Sequence, residues 1–137
     1  MDTKVPISFQ RNFSARNCPA RQALDIVMDK WTPLVVYLLS GGPQRYTQLK
    51  RQIGGITQKM LTQTLRKMED EGLATRTVYP TAPPSVEYAL TPLGKSLCEP
   101  LEVLFYWART EGLQMQSLYR YTRETNEERP SEESSGH

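Results

Sequence analysis

The amino-acid sequence predicts a mostly helical α+β domain, and three observations carry that reading. Apolar residues recur at three- and four-residue spacing from Pro19 to about Glu71, the period of helices with one buried face. Between Leu73 and Leu90 the pattern changes to two runs rich in β-branched residues, separated by a proline-rich stretch. From Thr91 onward helical spacing returns over a long leucine stripe.

Each element follows from local chemistry. Pro19 suits the first turn of a helix, where its missing N–H is no loss, and Leu24, Val27 and Met28 make one stripe beyond it. Residues 31–39 form a second helix, opened by Thr32-Pro33 and ended by Gly41-Gly42-Pro43. It is nearly all apolar, so it is expected to be the buried centre of the domain. Trp31 at its start is expected to be a packing residue, as are Tyr88 and Trp107, and Met60 and Met68 are placed in the core. A short helix over 47–53 turns Leu49 and Ile53 inward and Lys50 and Arg51 outward, and the glycine turn 54–56 follows. Thr57 caps a fourth helix that runs to Glu71, where Gly72 stops it. Its inward stripe is Leu61, Leu65 and Met68.

Residues 73–79 and 86–90 then pair as a two-stranded hairpin, and the prolines at 80, 83 and 84 stiffen its tip. Thr91-Pro92 opens a long last helix with Leu93, Leu97, Leu101, Leu104 and Ala108 on one stripe, and Pro100 is expected to kink or break it. Val103, Phe105, Tyr106 and Trp107 widen its apolar surface beyond what one domain needs.

Totals narrow the function. A chain of 137 residues holds one domain with a real core rather than two ordinary ones. Its 38% apolar and 23% charged fractions are those of a globular protein. No run approaches the roughly eighteen apolar residues of a membrane span, and the N-terminus lacks a signal-peptide core, so a cytoplasmic protein with no membrane partner is expected. Cys18, Cys98 and the single His137 make neither a disulfide scaffold nor a metal pattern, and no cofactor is expected. No glycine-rich phosphate loop or nucleophile elbow is present, and the acids are scattered on exposed faces, so an enzyme is not expected.

The net charge of +2 hides an asymmetry. Residues 1–123 carry sixteen Lys and Arg against ten Asp and Glu, whereas residues 124–137 carry five Glu and one Arg. We read residues 1–16 as a flexible arm, 17–123 as the domain, and 124–137 as a disordered acidic tail. A basic body suits a polyanionic partner.

Short helix, glycine turn, longer helix with a polar face, then a hairpin is the order of a winged helix-turn-helix, with a two-stranded β-wing and a long C-terminal dimerisation helix. The second helix of such a unit fits the major groove of double-stranded DNA. Its outer face carries Gln58, Lys59, Thr62, Gln63 and Arg66, types that pair with base edges or phosphates. Lys50, Arg51 and Lys67 suit phosphates, with Arg76 and Ser85 on the wing. Leu97, Leu101, Leu104, Phe105 and Trp107 are expected at a homodimer interface.

The motifs occur in a fixed order over residues 17–110. They run Cys18-Pro19, Lys30-Trp31-Thr32, Gly42-Pro43, Tyr46, Leu49-Lys50, Gly55-Ile56-Thr57, Lys59-Met60-Leu61-Thr62, Leu65-Arg66, Met68 to Leu73, Val78-Tyr79-Pro80, Pro83 to Tyr88, Leu90-Thr91 and Gly94. This order resembles the HxlR family of bacterial regulators, itself similar to the MarR group. The resemblance implies a dimeric winged-helix protein that binds an operator, often to repress neighbouring genes, and a two-fold protein is expected to recognise an inverted repeat. The chain departs from the family at Ser85, where Arg or Lys is frequent, which leaves Arg76 and the wing backbone to meet phosphate.

The resemblance also implies a role for Cys18, since the matching cysteine in some members senses oxidants or electrophiles. Cys18 precedes Pro19 at a helix N-terminus with Arg16 and Arg21 near in sequence, a setting that favours a thiolate. Two readings stay open: a sensor for an oxidant or small-molecule effector, or an inert thiol beneath the dimer contact. Cys98, beside Leu97, reads as a small core residue, and a pairing of the two cysteines across a dimer also stays open. The rival to DNA binding is a winged-helix protein–protein adaptor that binds no duplex.

Overall fold

The computed structural model describes residues 15–118. The acidic tail, residues 119–123 of the expected domain and all but the last two residues of the arm lie outside the described residues. Two compact units divide the chain, one ending at Cys98 and the other beginning at Glu99.

In the first unit, α1 (Pro19–Val27) begins at the expected proline and buries none of its residues in the single chain. The next helix, α2 (Thr32–Leu39), has its start tied down from the preceding loop. Asp29 Oδ1 accepts from the amides of Trp31 at 2.9 Å and Thr32 at 2.6 Å, and Oδ2 accepts from the Thr32 hydroxyl at 2.9 Å. Thr32 is fully buried, so that carboxylate satisfies a hydroxyl which would otherwise be costly to hide. Contrary to the expectation of full burial, α2 buries Thr32, Pro33, Val35, Val36 and Leu39 but leaves Leu34 and Tyr37 exposed. A small domain has too little core to surround a helix, whatever the helix is made of.

A two-residue strand, β1 (Gln44–Arg45), leads into α3 (Tyr46–Gln52), whose start is secured by Gln48 Oε1 accepting from the Arg45 amide at 2.8 Å. Gly55 takes a φ of 79° in the turn that follows, a conformation that favours glycine. The fourth helix, α4 (Gln58–Asp70), is capped by the Thr57 hydroxyl, which accepts from the Met60 amide at 3.1 Å. It ends as expected at Gly72, with a φ of 74°. There the Leu73 amide donates to the Met68 carbonyl at 2.8 Å and the Gly72 amide to the Glu69 carbonyl at 3.0 Å, the paired bonds of a Schellman stop.

The expected hairpin is β2 (Ala74–Tyr79) and β3 (Ser85–Leu90), antiparallel from Ala74 opposite Leu90 to Tyr79 opposite Ser85. The sheet has three strands, not two: β1 pairs with the other edge of β3, Gln44 opposite Tyr88 and Arg45 opposite Glu87. After its first residue β2 is exposed throughout, so the hairpin projects from the body as a wing. The core beneath holds Val35, Leu49, Leu61, Leu65 and Met68, all fully buried, with Tyr88 and Leu90 of β3 and Leu73 at its edge.

The last helix is broken, and the break falls before the expected proline. α5 (Pro92–Ser96) ends at Leu97, whose amide donates to the Gly94 carbonyl at 3.1 Å, and α6 (Cys98–Arg109) then starts afresh. In a continuous helix the Pro100 ring would clash with the carbonyl four residues back, at Ser96. Ending one helix at Ser96 places Pro100 in the first turn of the next, where it is tolerated. In the second unit α6 buries Leu101 and is followed by a 3₁₀ turn, Glu111–Gln114.

Gly94 marks a tight approach between α5 and the residue after Gly72. A Cβ there would collide with the Leu73 carbonyl oxygen and press on Leu90 Cδ2 at 3.0 Å. That carbonyl cannot easily withdraw, since it accepts from the Thr91 amide at 3.0 Å. Helix propensity alone would favour Gly94→Ala by about 1 kcal/mol. Overpacking wins, and the variant is expected to lose about 1–3 kcal/mol in urea denaturation; an unchanged or raised midpoint would contradict this packing.

Candidate nucleic-acid interface

The outer face of α4 exists because its inner face is committed. Leu61, Thr64, Leu65 and Met68 are buried, and helical geometry turns Gln58, Lys59, Thr62, Gln63 and Arg66 the other way, where all five are exposed. The inward stripe is one residue wider than expected. Thr64 joins it by donating its hydroxyl to the Met60 carbonyl at 2.8 Å. Met60 itself, expected in the core, is 37% exposed, because position 60 lies about 100° around the helix from Leu61.

Of the expected phosphate contacts, Lys50 and Arg51 sit in the last turn of α3, Lys50 half-buried and Arg51 exposed. Lys67 is placed differently. Its ammonium is paired with Asp29, the carboxylate that fastens α2. Burial by itself would raise the Asp29 carboxyl. Lys67, the Thr32 amide and hydroxyl and the Trp31 amide outweigh it and hold the group below its ordinary 3.8.

On the wing, Arg76 is exposed on β2 opposite Tyr88. Burial raises the Tyr88 phenol while the Arg76 guanidinium beside it pulls the other way. Ser85 is half-buried, and its hydroxyl is turned inside without a hydrogen-bond partner, so it is not offered at the surface.

A cleft of about 860 Å³ separates the wing from the start of α3, with Arg45, Tyr46 and Thr47 on one side and Tyr79, Pro83 and Glu87 on the other. Sequence reasoning missed Arg45 and Tyr46 as members of this surface. Their signal is position, since Arg45 caps and Tyr46 begins the helix that supports α4, rather than any periodicity.

The expected dimer residues divide. Leu104 and Trp107 are 41% and 48% exposed, Phe105 and Leu97 are half-buried, and Leu101 is buried in the single chain. Val103 and Tyr106 on α6 are more exposed than any of these five. Trp107, also expected to pack, is thus largely uncovered, whereas Tyr88 is buried and Trp31 half-buried with the Lys30 ammonium 4.8 Å from its ring centre. In the first unit, α1, Leu73 and α5 line an open apolar groove of about 470 Å³, with Leu24, Val27, Leu93 and Leu97 on its walls. Cys18, at the start of α1, is 7% exposed, and Cys98 is half-buried with its thiol toward the Gly94 carbonyl. Among the described residues no helix is long and apolar enough to cross a membrane, and no group of three His, Cys, Asp or Glu could hold a metal ion.

Comparison with known proteins bears on this geometry. The pattern of the HxlR-like helix-turn-helix family matches residues 26–116. The chain is 42% identical over 96 residues to the HTH-type transcriptional regulator YtfH of Escherichia coli, covering 70% of this chain and 76% of that protein. A MarR-family transcriptional regulator of Porphyromonas gingivalis W83 superposes with a TM-score of 0.67 at 36% identity, over 71% of this chain and 95% of that one. The redox regulator HypR in its oxidised form superposes with a TM-score of 0.64 at 35% identity, over 68% of this chain and 96% of that one.

The Asp29–Lys67 pair predicts a pH dependence. A carboxyl held below its ordinary value stabilises the native state above about pH 4 and loses that contribution as pH falls through its native value. Asp29→Asn keeps an acceptor for the amides but removes the charge, so it is expected to melt below the parent at pH 7, with a smaller gap at pH 3. A gap of equal size at both pH values would assign the loss to something other than the charge.

Proposed function

The chain belongs to the HxlR-like helix-turn-helix family of transcriptional regulators, and from that premise we propose that it represses transcription as a homodimer bound to an inverted-repeat operator. The observation that carries this reading is the exposed row Gln58, Lys59, Thr62, Gln63 and Arg66 on a helix whose opposite stripe is fixed in the core. Such a row meets the major groove without any rearrangement of the domain. Gln63 and Arg66 read base edges. Lys50, Arg51 and Lys59 hold phosphates, as does Arg76 with the wing backbone. Lys67, engaged by Asp29, belongs to the fold.

Dimerisation is supported by two apolar surfaces that the single chain leaves uncovered, Leu24 and Met28 on and beside α1 and Val103, Tyr106 and Trp107 on α6. Apolar surface on this scale is the ordinary mark of an interface. A two-fold protein reads half-sites about 10 base pairs apart or a multiple of that. Footprinting on the DNA upstream of its own gene should give such a pair. Gln63→Ala or Arg66→Ala should cost about 1–3 kcal/mol on that duplex and relax base preference. Lys50→Ala or Arg51→Ala should weaken all duplexes and flatten the salt dependence. Equal losses on operator and random DNA for Gln63→Ala and Arg66→Ala would refute the base-reading roles, and no duplex binding at low salt would favour a protein–protein adaptor.

Oxidant or electrophile sensing through Cys18 is the finer part of the proposal. It is supported by the likeness to HypR, a redox regulator, and by the place of Cys18 at the start of α1. Its burial makes access depend on opening of that first turn. Modification there would act on α1, beside the uncovered surface, and a small rotation between subunits would misplace both recognition helices at once. Cys18→Ser should bind operator normally when reduced and stay bound after diamide, while the parent is released. Parent binding that ignores diamide would return Cys18 to an inert core position.

A further inference from the structure

Three polar atoms meet where α3 begins and α4 makes its first turns. The Tyr46 hydroxyl donates to the Gln58 carbonyl at 3.2 Å and lies 3.1 Å from the Thr62 hydroxyl. Tyrosine has a single proton to donate. With it on Gln58, the Thr62 hydroxyl becomes the donor to the Tyr46 oxygen. A threonine in a helix otherwise divides between two rotamers, one of which bonds the carbonyl a turn back. For Thr62 the carbonyl four residues back is that of Gln58, which receives the Tyr46 proton instead. The Thr62 hydroxyl is therefore turned toward its own domain, although the residue is exposed in the middle of the polar row.

We propose that Thr62 reads DNA with its methyl group and not its hydroxyl, and that Tyr46 is the positioning residue that enforces this. The target is the C5-methyl of a thymine, the methyl group that a base presents in the major groove. The inference rests on the reading that α4 enters that groove. It assigns thymine preference to a side chain whose hydroxyl would otherwise accept or donate to several bases, and it gives a recognition role to a tyrosine that acts through the threonine it holds.

The test uses the full chain and the tightest duplex recovered from a randomised library. Each thymine is replaced in turn by deoxyuridine, which deletes the methyl and keeps every hydrogen-bonding group. The parent is expected to lose about fourfold in affinity at one position per half-site, the worth of one buried methyl. Thr62→Val should keep that discrimination, and Thr62→Ser should abolish it. Tyr46→Phe, a conservative change, should reduce it at the same position by freeing the hydroxyl.

If Tyr46→Phe weakened the thymine and uracil duplexes equally, the tyrosine would be merely structural and the inference would fall. Discrimination kept by Thr62→Ser and lost by Thr62→Val would assign the reading to the hydroxyl and overturn it. Selective binding indifferent to uracil at every position would overturn this inference alone, whereas absence of duplex binding would take the proposed function with it.

Discussion

The burial of one stripe of α4 is the constraint on which the rest of this molecule depends. Leu61, Leu65 and Met68 are fully buried, and truncating any one of them to alanine would cost about 2–5 kcal/mol against a total stability of about 5–15 kcal/mol. Rotating the helix by one residue position would bring Thr62 and Arg66 inward and expose the apolar stripe. A guanidinium without a partner in the core is a far larger penalty than any contact on the outside can offset. The polar row therefore has a single azimuth. It is set by side chains that never meet a ligand, which is why the row can be presented ready-made.

Both ends of the same helix are fastened to segments distant in sequence. At its start Thr57 caps the free amides and Tyr46 ties in from α3. At its end the Gly72 stop passes directly into the wing, and the Thr91 hydroxyl donates to the Gly72 carbonyl while accepting from the Gly94 amide. Asp29 adds a third tie through Lys67. Wing, helix α5 and the loop before α2 thus all refer their positions to α4. The direction of the wing is inherited from the helix it follows, and Gly94 lets α5 approach the Leu73 carbonyl at the base of the wing.

Local signals were readable in the sequence and partners far along the chain were not. The bounds of α4 were expected at 57–71, and the structure gives Gln58–Asp70 with Thr57 as cap and Gly72 as stop, because caps and apolar spacing are written in adjacent residues. Strand β1 went unseen, since two residues after a proline carry no pattern and exist as a strand only because β3 lies alongside. Lys67 looked like every other basic residue on the helix; its carboxylate partner is 38 positions away. The break at Leu97 escaped notice for a related reason. Proline marks a disruption in the sequence, but its clash is with the carbonyl four residues earlier, so the helix yields upstream. The face of α4 was legible, and the internal hydroxyl contact that restricts Thr62 was not.

The position of β2 at the edge of the sheet carries a hazard of its own. Among the described residues no further strand pairs with its outer rim, along an exposed strand that ends in Val78 and Tyr79, 50% and 41% exposed. An open strand of this kind is a template on which a second chain can crystallise its own backbone, and proteins guard such rims with charge and proline. Here the guard is slight: Arg76 stands at mid-strand, and Pro80 closes the end where a ladder would otherwise continue. The residue proposed to meet phosphate from the wing is then also the charge that stands on this rim. A change that neutralises it removes a charge from an open strand edge, so the solubility of the variant belongs in the reading of every binding curve made with it.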